Sequence, residues 1–518
     1  MEFPHHLLRL PADHAAPHQR RQQGLFVVCG AMLISAVDMT IVNVALPDIA
    51  QDLDAGVGEL QWVLDAFLVA LAGLLLLGSG LADRFGRKRI FLAGMAAFGA
   101  SSTLCALAPS PVALIGARAL MGASAACVLP PALSLIAVMF PPEERPKALG
   151  VWAAAAGVGL VIGPVLGGIL VREVGWQAVF LVNVPVTLVV VPVGLGVLPE
   201  STRPGTPPID ILGVALSIVA LGGIVSALIE GPDAGWSSPF VIAAAVVGLV
   251  AGAVFIRTEL RRRQPLFDVR VLARPAVAAG AFAILSTYVA FLGTMFLLPQ
   301  YLQYVQGRSA VAAGLVLGPL GIGGAIGARY NARVFAALGP RLTVAGGTVA
   351  LAGSIALLLL LGRTTTVAVV LISGALIGAL IALSVPPATT VIMNDLGEAK
   401  AGDGGAVNQL ARQVGGALGV AIIGTVFAGI YGRRIGDLDG LTAAQRDRAE
   451  ESIEQARDVL AGVSGPLRNQ LLDRVDDAYD VAARAGFGVC VTVLLLAAVI
   501  AAFALSPERL LSKTQTEP

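Results

Sequence analysis

Charge is scarce in this chain. Asp, Glu, Lys and Arg together make up 13% of its 518 residues, about half of the ~25% usual in a soluble domain. A soluble chain of this length would fold as about three domains, each with a charged skin, and there are too few charges to cover them. Histidine is almost missing. His5, His6, His14 and His18 all fall in the N-terminal tail among Pro, Arg and Gln, the composition of a disordered segment rather than a metal site. The four cysteines, Cys29, Cys105, Cys127 and Cys490, stand singly inside apolar blocks without metal-ligand spacing and read as small core residues. No Gly-x-x-x-x-Gly-Lys-Ser/Thr loop occurs, which argues against direct ATP drive. Nucleophiles and metal ligands are not clustered, which argues against an enzyme. With a net charge of +1, the overall balance does not point to nucleic acid as a partner.

Hydrophobic residues are abundant, at 56%. They gather in blocks of roughly 18 to 25 residues, the length that crosses a ~30 Å hydrocarbon layer as a helix. Such blocks are far too long for barrel strands, so the expected class is an all-α polytopic membrane protein. Fourteen candidate spans lie near 25–46, 60–82, 90–108, 112–138, 149–171, 177–198, 211–230, 239–256, 276–299, 310–328, 342–361, 366–392, 403–431 and 484–505. The first block is too long for a secretory leader, carries Asp38 and lacks a small-residue cleavage site. Most Lys and Arg fall in the tails and the short even-numbered loops, such as Arg84, Arg87, Lys88 and Arg89 after span 2 and Arg257, Arg261, Arg262 and Arg263 after span 8. The short odd-numbered loops hold Arg172, Arg308 and Arg363. Positive charge stays inside, so both termini are expected in the cytoplasm and the chain in the cell's inner (plasma) membrane. A count of thirteen would break this pattern at the C-terminus.

Two short matches recur at nearly constant offset: Phe85-Gly86-Arg87-Lys88 with Leu338-Gly339-Pro340-Arg341, and Pro130-Pro131-Ala132 with Pro386-Pro387-Ala388. An offset near half the chain suggests two homologous six-helix halves, a common build for secondary transporters. The expected organisation is a disordered cytoplasmic tail over 1–24, one bundle over 25–198, a linker with spans 7 and 8 over 199–274, a second bundle over 275–505, and a tail over 506–518. Within the second bundle, 433–481 is a long outer loop. Leu441–Val463 and Leu467–Val481 show helical apolar spacing around Ser464-Gly465-Pro466, the pattern of an amphipathic hairpin on the outer surface. A solvated spacer and a gating or docking element both fit it.

Three motifs carry chemistry. Ser79–Arg89 joins spans 2 and 3. Gly86 permits a tight turn there, while Arg84, Arg87 and Lys88 suit anionic headgroups and helix C-termini. Asp83 can accept from free N–H groups at a helix N-terminus of the other half, a latch that a plain positive-inside anchor would not need. Arg118 lies within span 4, where a charge is costly without a partner, and Asp38 in span 1 is the candidate partner. A carboxylate beside a movable arginine can be tuned either way as the pair forms and breaks, the requirement for proton coupling. A purely structural ion pair is the alternative. Gly159, Gly163, Pro164, Gly167 and Gly168 put small residues on one face of span 5 with a helix-bending proline; generic packing is the competing reading of the glycines alone.

These motifs resemble the fourteen-span drug:proton antiporter family of the major facilitator superfamily. Ser79–Arg89 is similar to that superfamily's signature loop, and Gly159–Gly168 to its antiporter motif. Val37–Pro47, Trp176–Pro185, Leu298–Gln303 and Val407–Gly416 match as well, so the resemblance covers about 25 to 505. It implies two six-helix bundles with two extra inserted helices, alternating access, export driven by the proton gradient without a cofactor, and a carboxylate relay on Asp38. It also implies a role for Asp65 in protonation or cation recognition, although a surface acid at a helix end is the other reading. Trp62, Asp65, Gln300, Tyr301, Asn408, Gln409 and Arg412 are the expected pocket residues. Ser79 and Met121 depart from the glycine and glutamine that the family usually shows. Span 10 has Gly323-Gly324 and no acid, and Asp403 stands only near the start of span 13. Neutral, zwitterionic or monovalent cationic lipophilic compounds are thus expected rather than dications. Protons and membrane lipids are the other expected partners, and the chain is expected to act as a monomer. An exporter dedicated to one endogenous metabolite, antibiotic or lipid fits the same residues.

Overall fold

A computed structural model describes residues 18–141, 143–202, 210–262, 265, 267–362, 367–397, 400–436, 441–463 and 466–505. Residues 1–17 and 506–518 of the tails, Arg263, Arg363, Ser464 and Gly465 lie outside the described residues. All regular structure among the described residues is helical. The first half contains α1 (His18–Leu53), α2 (Val57–Phe85), α3 (Arg87–Ala106), α4 (Pro111–Ala126), α5 (Leu129–Met139), α6 (Arg145–Glu173), α7 (Ala178–Leu181) and α8 (Asn183–Val197). Then come α9 (Ile211–Ala234) and α10 (Pro239–Arg261). The second half contains α11 (Pro275–Tyr304), α12 (Ala310–Leu317), α13 (Pro319–Arg341), α14 (Gly347–Ala356), α15 (Val367–Leu396), α16 (Ala401–Gly436), α17 (Ala443–Glu451), α18 (Ile453–Ala461) and α19 (Pro466–Ala504).

Local chemistry starts several of these helices. Ser110 accepts from the Ala113 N–H with Pro111 at the first turn, Asp210 accepts from Gly213, and Ser309 from Ala312, each satisfying a donor the helix cannot. Among the described residues, thirteen helical stretches are long and apolar enough to cross a membrane. One of them, Ala310–Leu360, has 51 residues, about 76 Å of helix against a ~30 Å layer. It breaks at Gly339, whose φ of 72° is open to glycine, just before Pro340.

Both described ends of the chain lie at one end of the bundle, termed the terminal side, and α17 and α18 lie at the other, the hairpin side. The first and second halves face each other, with α11 the most buried helix between them. Helix α9 packs on α2 and α16, with Ser217 donating to the Gly73 carbonyl at 3.2 Å and Thr425 to that of Leu228 at 2.6 Å. Helix α10 packs on α9 and turns Phe240, Val246, Val247, Leu249 and Val250 outward, a face suited to lipid.

Two expectations are corrected. Residues 18–24 are helical rather than a disordered tail, because Arg20 donates to the Gly196 carbonyl and Arg21 pairs with Glu144 at 3.1 Å. The 433–481 loop is not a two-armed surface hairpin. Ser452 is extended (φ −163°, ψ 162°) and caps α18, which splits the first arm. The second arm meets no breaker before the last span and simply extends it, so α19 runs unbroken for 39 residues and buries Leu471, Val475 and Tyr479.

Candidate functional site

Asp38 on α1 and Arg118 on α4 form an ion pair, Oδ2 to Nη1 2.7 Å, with both residues 1% exposed. Arg118 is held from three further directions. Its Nε donates to the Val63 carbonyl at 2.9 Å, and its guanidinium lies 4.5 Å from the Phe67 ring centre and 5.9 Å from that of Phe180. Asp38 has less: its Oδ1 is buried with no partner among the described residues. An unmet buried acceptor costs ~1–3 kcal/mol, so the pair is kept at the expense of one unsatisfied carboxylate oxygen.

The span-5 glycines bring α6 against this pair. A Cβ on Gly159 would lie 2.6 Å from the Leu33 carbonyl, one on Gly163 would collide with the Thr40 hydroxyl, and one on Gly167 with Ile41. Those contacts flank Asp38 on α1. Gly168 turns instead to the Ala310 carbonyl of α12, and Gly314 of α12 meets the Pro164 carbonyl. One small-residue helix therefore touches the ion-pair helix on one face and the second half on another. Helix α6 runs continuously through Pro164.

The halves are joined on the hairpin side and parted on the terminal side. Gln303 donates to the Val44 carbonyl at 3.1 Å, and Gln455 of α18 reaches Asp54 at 3.3 Å. On the terminal side a cavity of about 540 Å³ separates them, a volume suited to a drug-sized molecule. Met32, Ser35 and Met39 of α1, Trp152 of α6, Tyr288 of α11 and Arg412 of α16 mark its wall, with Ser79, Asn408, Gln409 and Gln413 adding polar atoms. Asp38 lies one residue from Met39 at its inner end.

Of the expected pocket residues, Asn408, Gln409 and Arg412 line this cavity, and Asn408 donates to the Thr389 hydroxyl. The others are placed elsewhere. Trp62 donates to Glu230 of α9 at 3.3 Å. Gln300 donates to the Phe296 carbonyl of its own helix. Tyr301 is wholly buried and donates to Asp480 at 2.6 Å, beside the Arg484–Asp480 pair. Asp65 is 0% exposed, which removes the surface-acid reading; neither carboxylate oxygen has a partner among the described residues. One turn away Gln61, also without a partner among them, packs against Gly424 of α16.

The signature loop stays within its own half. Asp83 accepts from Arg87 Nε and Nη2 at 3.0 and 2.9 Å, Lys88 donates to the Leu195 carbonyl at 2.7 Å, and Arg89 faces Glu200 at 3.5 Å. Arg84 lies over the Phe85 ring. Gly86 has φ 112° and sits against the Glu200 carboxylate, a place and conformation that admit no Cβ. Asp83 caps no described helix of the other half, because the cavity holds the halves apart on this side.

Sequence reasoning passed over Trp152, Tyr288 and Gln413. Gln413 stood inside a quoted motif. Tyr288 and Trp152 look like any aromatic of an apolar span until α11 and α6 are placed beside the cavity.

Two helical bundles, a cavity between them open to one side and a buried ion pair at its inner end define a membrane transporter of the alternating-access type. The chain belongs to the Major Facilitator Superfamily, whose model matches residues 28–212 and 209–420. It is 33% identical to the multidrug efflux pump LfrA of Mycolicibacterium smegmatis, over 92% of this chain and 94% of that protein. It is 37% identical to the puromycin resistance protein pur8 of Streptomyces alboniger, over 85% and 88%. Among solved structures, an inward-facing bacterial homologue of the human lysosomal transporter Spinster shares the fold, with a TM-score of 0.67 over 94% of this chain and 98% of that one at 19% identity. Family and relatives together make the protein a drug exporter.

Proposed function

We propose that this exporter is a drug:proton antiporter. It crosses the cell's inner membrane fourteen times with both termini in the cytoplasm, works as a monomer among membrane lipids and draws on the proton gradient without a cofactor. Fourteen crossings follow from dividing Ala310–Leu360 at Gly339. The terminal side is then cytoplasmic, in keeping with the positive-inside rule, and the cavity faces the cytoplasm. The observation that carries the reading is the buried Asp38–Arg118 pair with its unmet Oδ1 at the inner end of that cavity.

Ionised Asp38 holds α1 to α4 through Arg118, which is itself tied to α2 at Val63. Protonation removes one charge of the pair and weakens that hold. Helix α1 is then free to shift against the glycine face of α6, and α6 transmits the shift to α12 through Gly168 and Gly314. A lipophilic compound loaded from the cytoplasm and a proton loaded from outside thus bias the same two packings of the halves, which is what antiport requires. Asp65 is a second carboxyl in the same bundle, with no described cation against it, and serves as a further proton site.

Purified protein in vesicles containing a pH-sensitive dye tests this. Adding a lipophilic substrate should move protons in the wild type and not in Asp38→Asn. Equal proton movement in both would remove Asp38 from the relay and leave Asp65 to carry it.

A further inference from the structure

The cavity wall is charged on one side only. Among the described residues Arg412 is its one charged group, and no Asp or Glu lines it. Arg412 forms no ion pair among those residues. Its Nε and Nη2 both donate to the Tyr288 hydroxyl, the first at 2.7 Å, and its guanidinium lies 4.9 Å from that ring centre. A phenol is a neutral partner, so the charge of Arg412 stays uncompensated at the edge of an apolar chamber, where an unpaired ion is expensive. The buried cation at this interface, Arg118, already has its carboxylate. Two further polar atoms stand unmet nearby: Trp152 Nε1 and Gln413 Oε1 are buried with no partner among the described residues, and both residues line the cavity. The wall thus offers a fixed cation, an indole donor, a primary amide and the aromatic faces of Tyr288, Phe291, Phe67 and Trp152.

We infer that the preferred substrates are aromatic acids, carboxylates or phenolates that are anionic at neutral pH, bound through Arg412. This rests on the export function proposed above and departs from the neutral or cationic compounds expected from sequence. A carboxylate matches the guanidinium fork with two parallel hydrogen bonds. A cation would meet Arg412 with no counter-ion on the described wall, and Asp38 is already committed to Arg118. Tyr288 holds the guanidinium in place while the site is empty and can turn its hydroxyl to the ligand once the site is filled.

A size-matched series tests the charge alone: 2-naphthoate, 2-naphthamide and 2-naphthylmethylammonium. Trp152 is the only one of the four tryptophans on the cavity wall, so quenching of its fluorescence reads binding directly, and Trp152→Phe supplies the blank. Naphthoate should bind at least about ten-fold tighter than the amide or the ammonium compound, the scale of one charge-assisted pair. Arg412→Gln should erase that preference, with an unchanged melting temperature and elution volume in detergent showing that the variant is folded; Arg412→Lys should keep most of it. Tighter binding of the ammonium compound in the wild type, or an anion preference that survives Arg412→Gln, overturns the inference. Failure of the export reading looks different. The amide would then drive no proton movement even in the wild type, whatever the charge preference in binding.

Discussion

Each half of the bundle places an arginine beside the interface between the halves, and the two are treated in opposite ways. Arg118 in the first half is 1% exposed, paired with Asp38, tied to Val63 and covered by two aromatic rings. Arg412 in the second half borders the cavity and meets a tyrosine hydroxyl. The first half closes its charge on itself through a buried carboxylate, whereas the second leaves its charge against a neutral hydroxyl. The proline repeat diverges too. The first-half copy follows a break at Cys127 between α4 and α5, whereas α15 runs unbroken through Pro386 and Pro387.

Removing one member of a buried pair strands the other in a low dielectric, and such losses run to ~3–5 kcal/mol. Arg118→Ala should therefore lower thermal stability in detergent strongly, while Arg412→Ala should alter it little. Pairing Arg118→Gln with Asp38→Asn should recover much of the loss, because no charge is then left unmet. If the two arginine variants melt alike, the contrast between the halves is not electrostatic.

Membrane potential sharpens the same contrast. At one proton per substrate, an anion leaving and a proton entering move two charges in the same sense, a neutral substrate moves one, and a monovalent cation moves none. Each charge carried across 100 mV is worth about 2.3 kcal/mol, or about fifty-fold in the steady-state ratio. Imposing an inside-negative potential on vesicles should thus favour export of naphthoate most and of the ammonium compound least. A reversed order would rule out the exchange of one entering proton for each substrate exported.

The sequence exposed the first half more fully than the second, for physical reasons. A charge inside an apolar block is conspicuous because it is costly, so Asp38 and Arg118 named each other before any helix was placed. The glycines of span 5 were visible as a face. Asn408, Gln409 and Arg412 could be marked, but not that Arg412 would find Tyr288, 124 positions away, rather than an acid. Trp62, Gln300 and Tyr301 stood in equally persuasive motifs, yet they are consumed by helix-to-helix contacts at Glu230 and Asp480 and by a carbonyl of the same helix at Phe296. Spacing says which face a residue is on; which partner claims it depends on the packing of distant spans.

Both halves also contain a tight glycine seam, at α1–α6 around Gly163 and at α13–α15 around Gly327, whose Cβ would collide with the Ala379 carbonyl. Overpacking costs ~1–3 kcal/mol, so Gly163→Val and Gly327→Val should lower the melting temperature by similar amounts. Only the first seam flanks the Asp38–Arg118 pair, so on the antiport proposed above Gly163→Val should also slow transport more than Gly327→Val does. Equal losses of transport would mean that both seams move.

The smallest expected effect concerns the place where the second half reaches over to the first. Helix α18 follows α17 and docks on the α1–α2 turn through Gln455 and Asp54, the latter with φ 54°. Arg448 of α17 lies 3.9 Å from Asp54. Beside this contact, burial raises the Glu454 carboxyl above the ordinary glutamate range; Asp458 and Asp48 of α1 add to the rise and Arg457 opposes it. A carboxyl whose value is raised by docking binds its proton more tightly docked than free, so acid on the hairpin side strengthens docking as pH falls through the raised value. Above that value the cost of burying the charge is fully present. Hydrogen exchange of residues 443–461 at pH 5 and pH 8 should show greater protection in acid, and Glu454→Gln should flatten the difference by holding the docked form neutral at both. Protection that grows with pH instead would mean that Arg457, not burial, governs Glu454. Helix α18 would then tie the halves by an ion pair, as the first half ties its own helices.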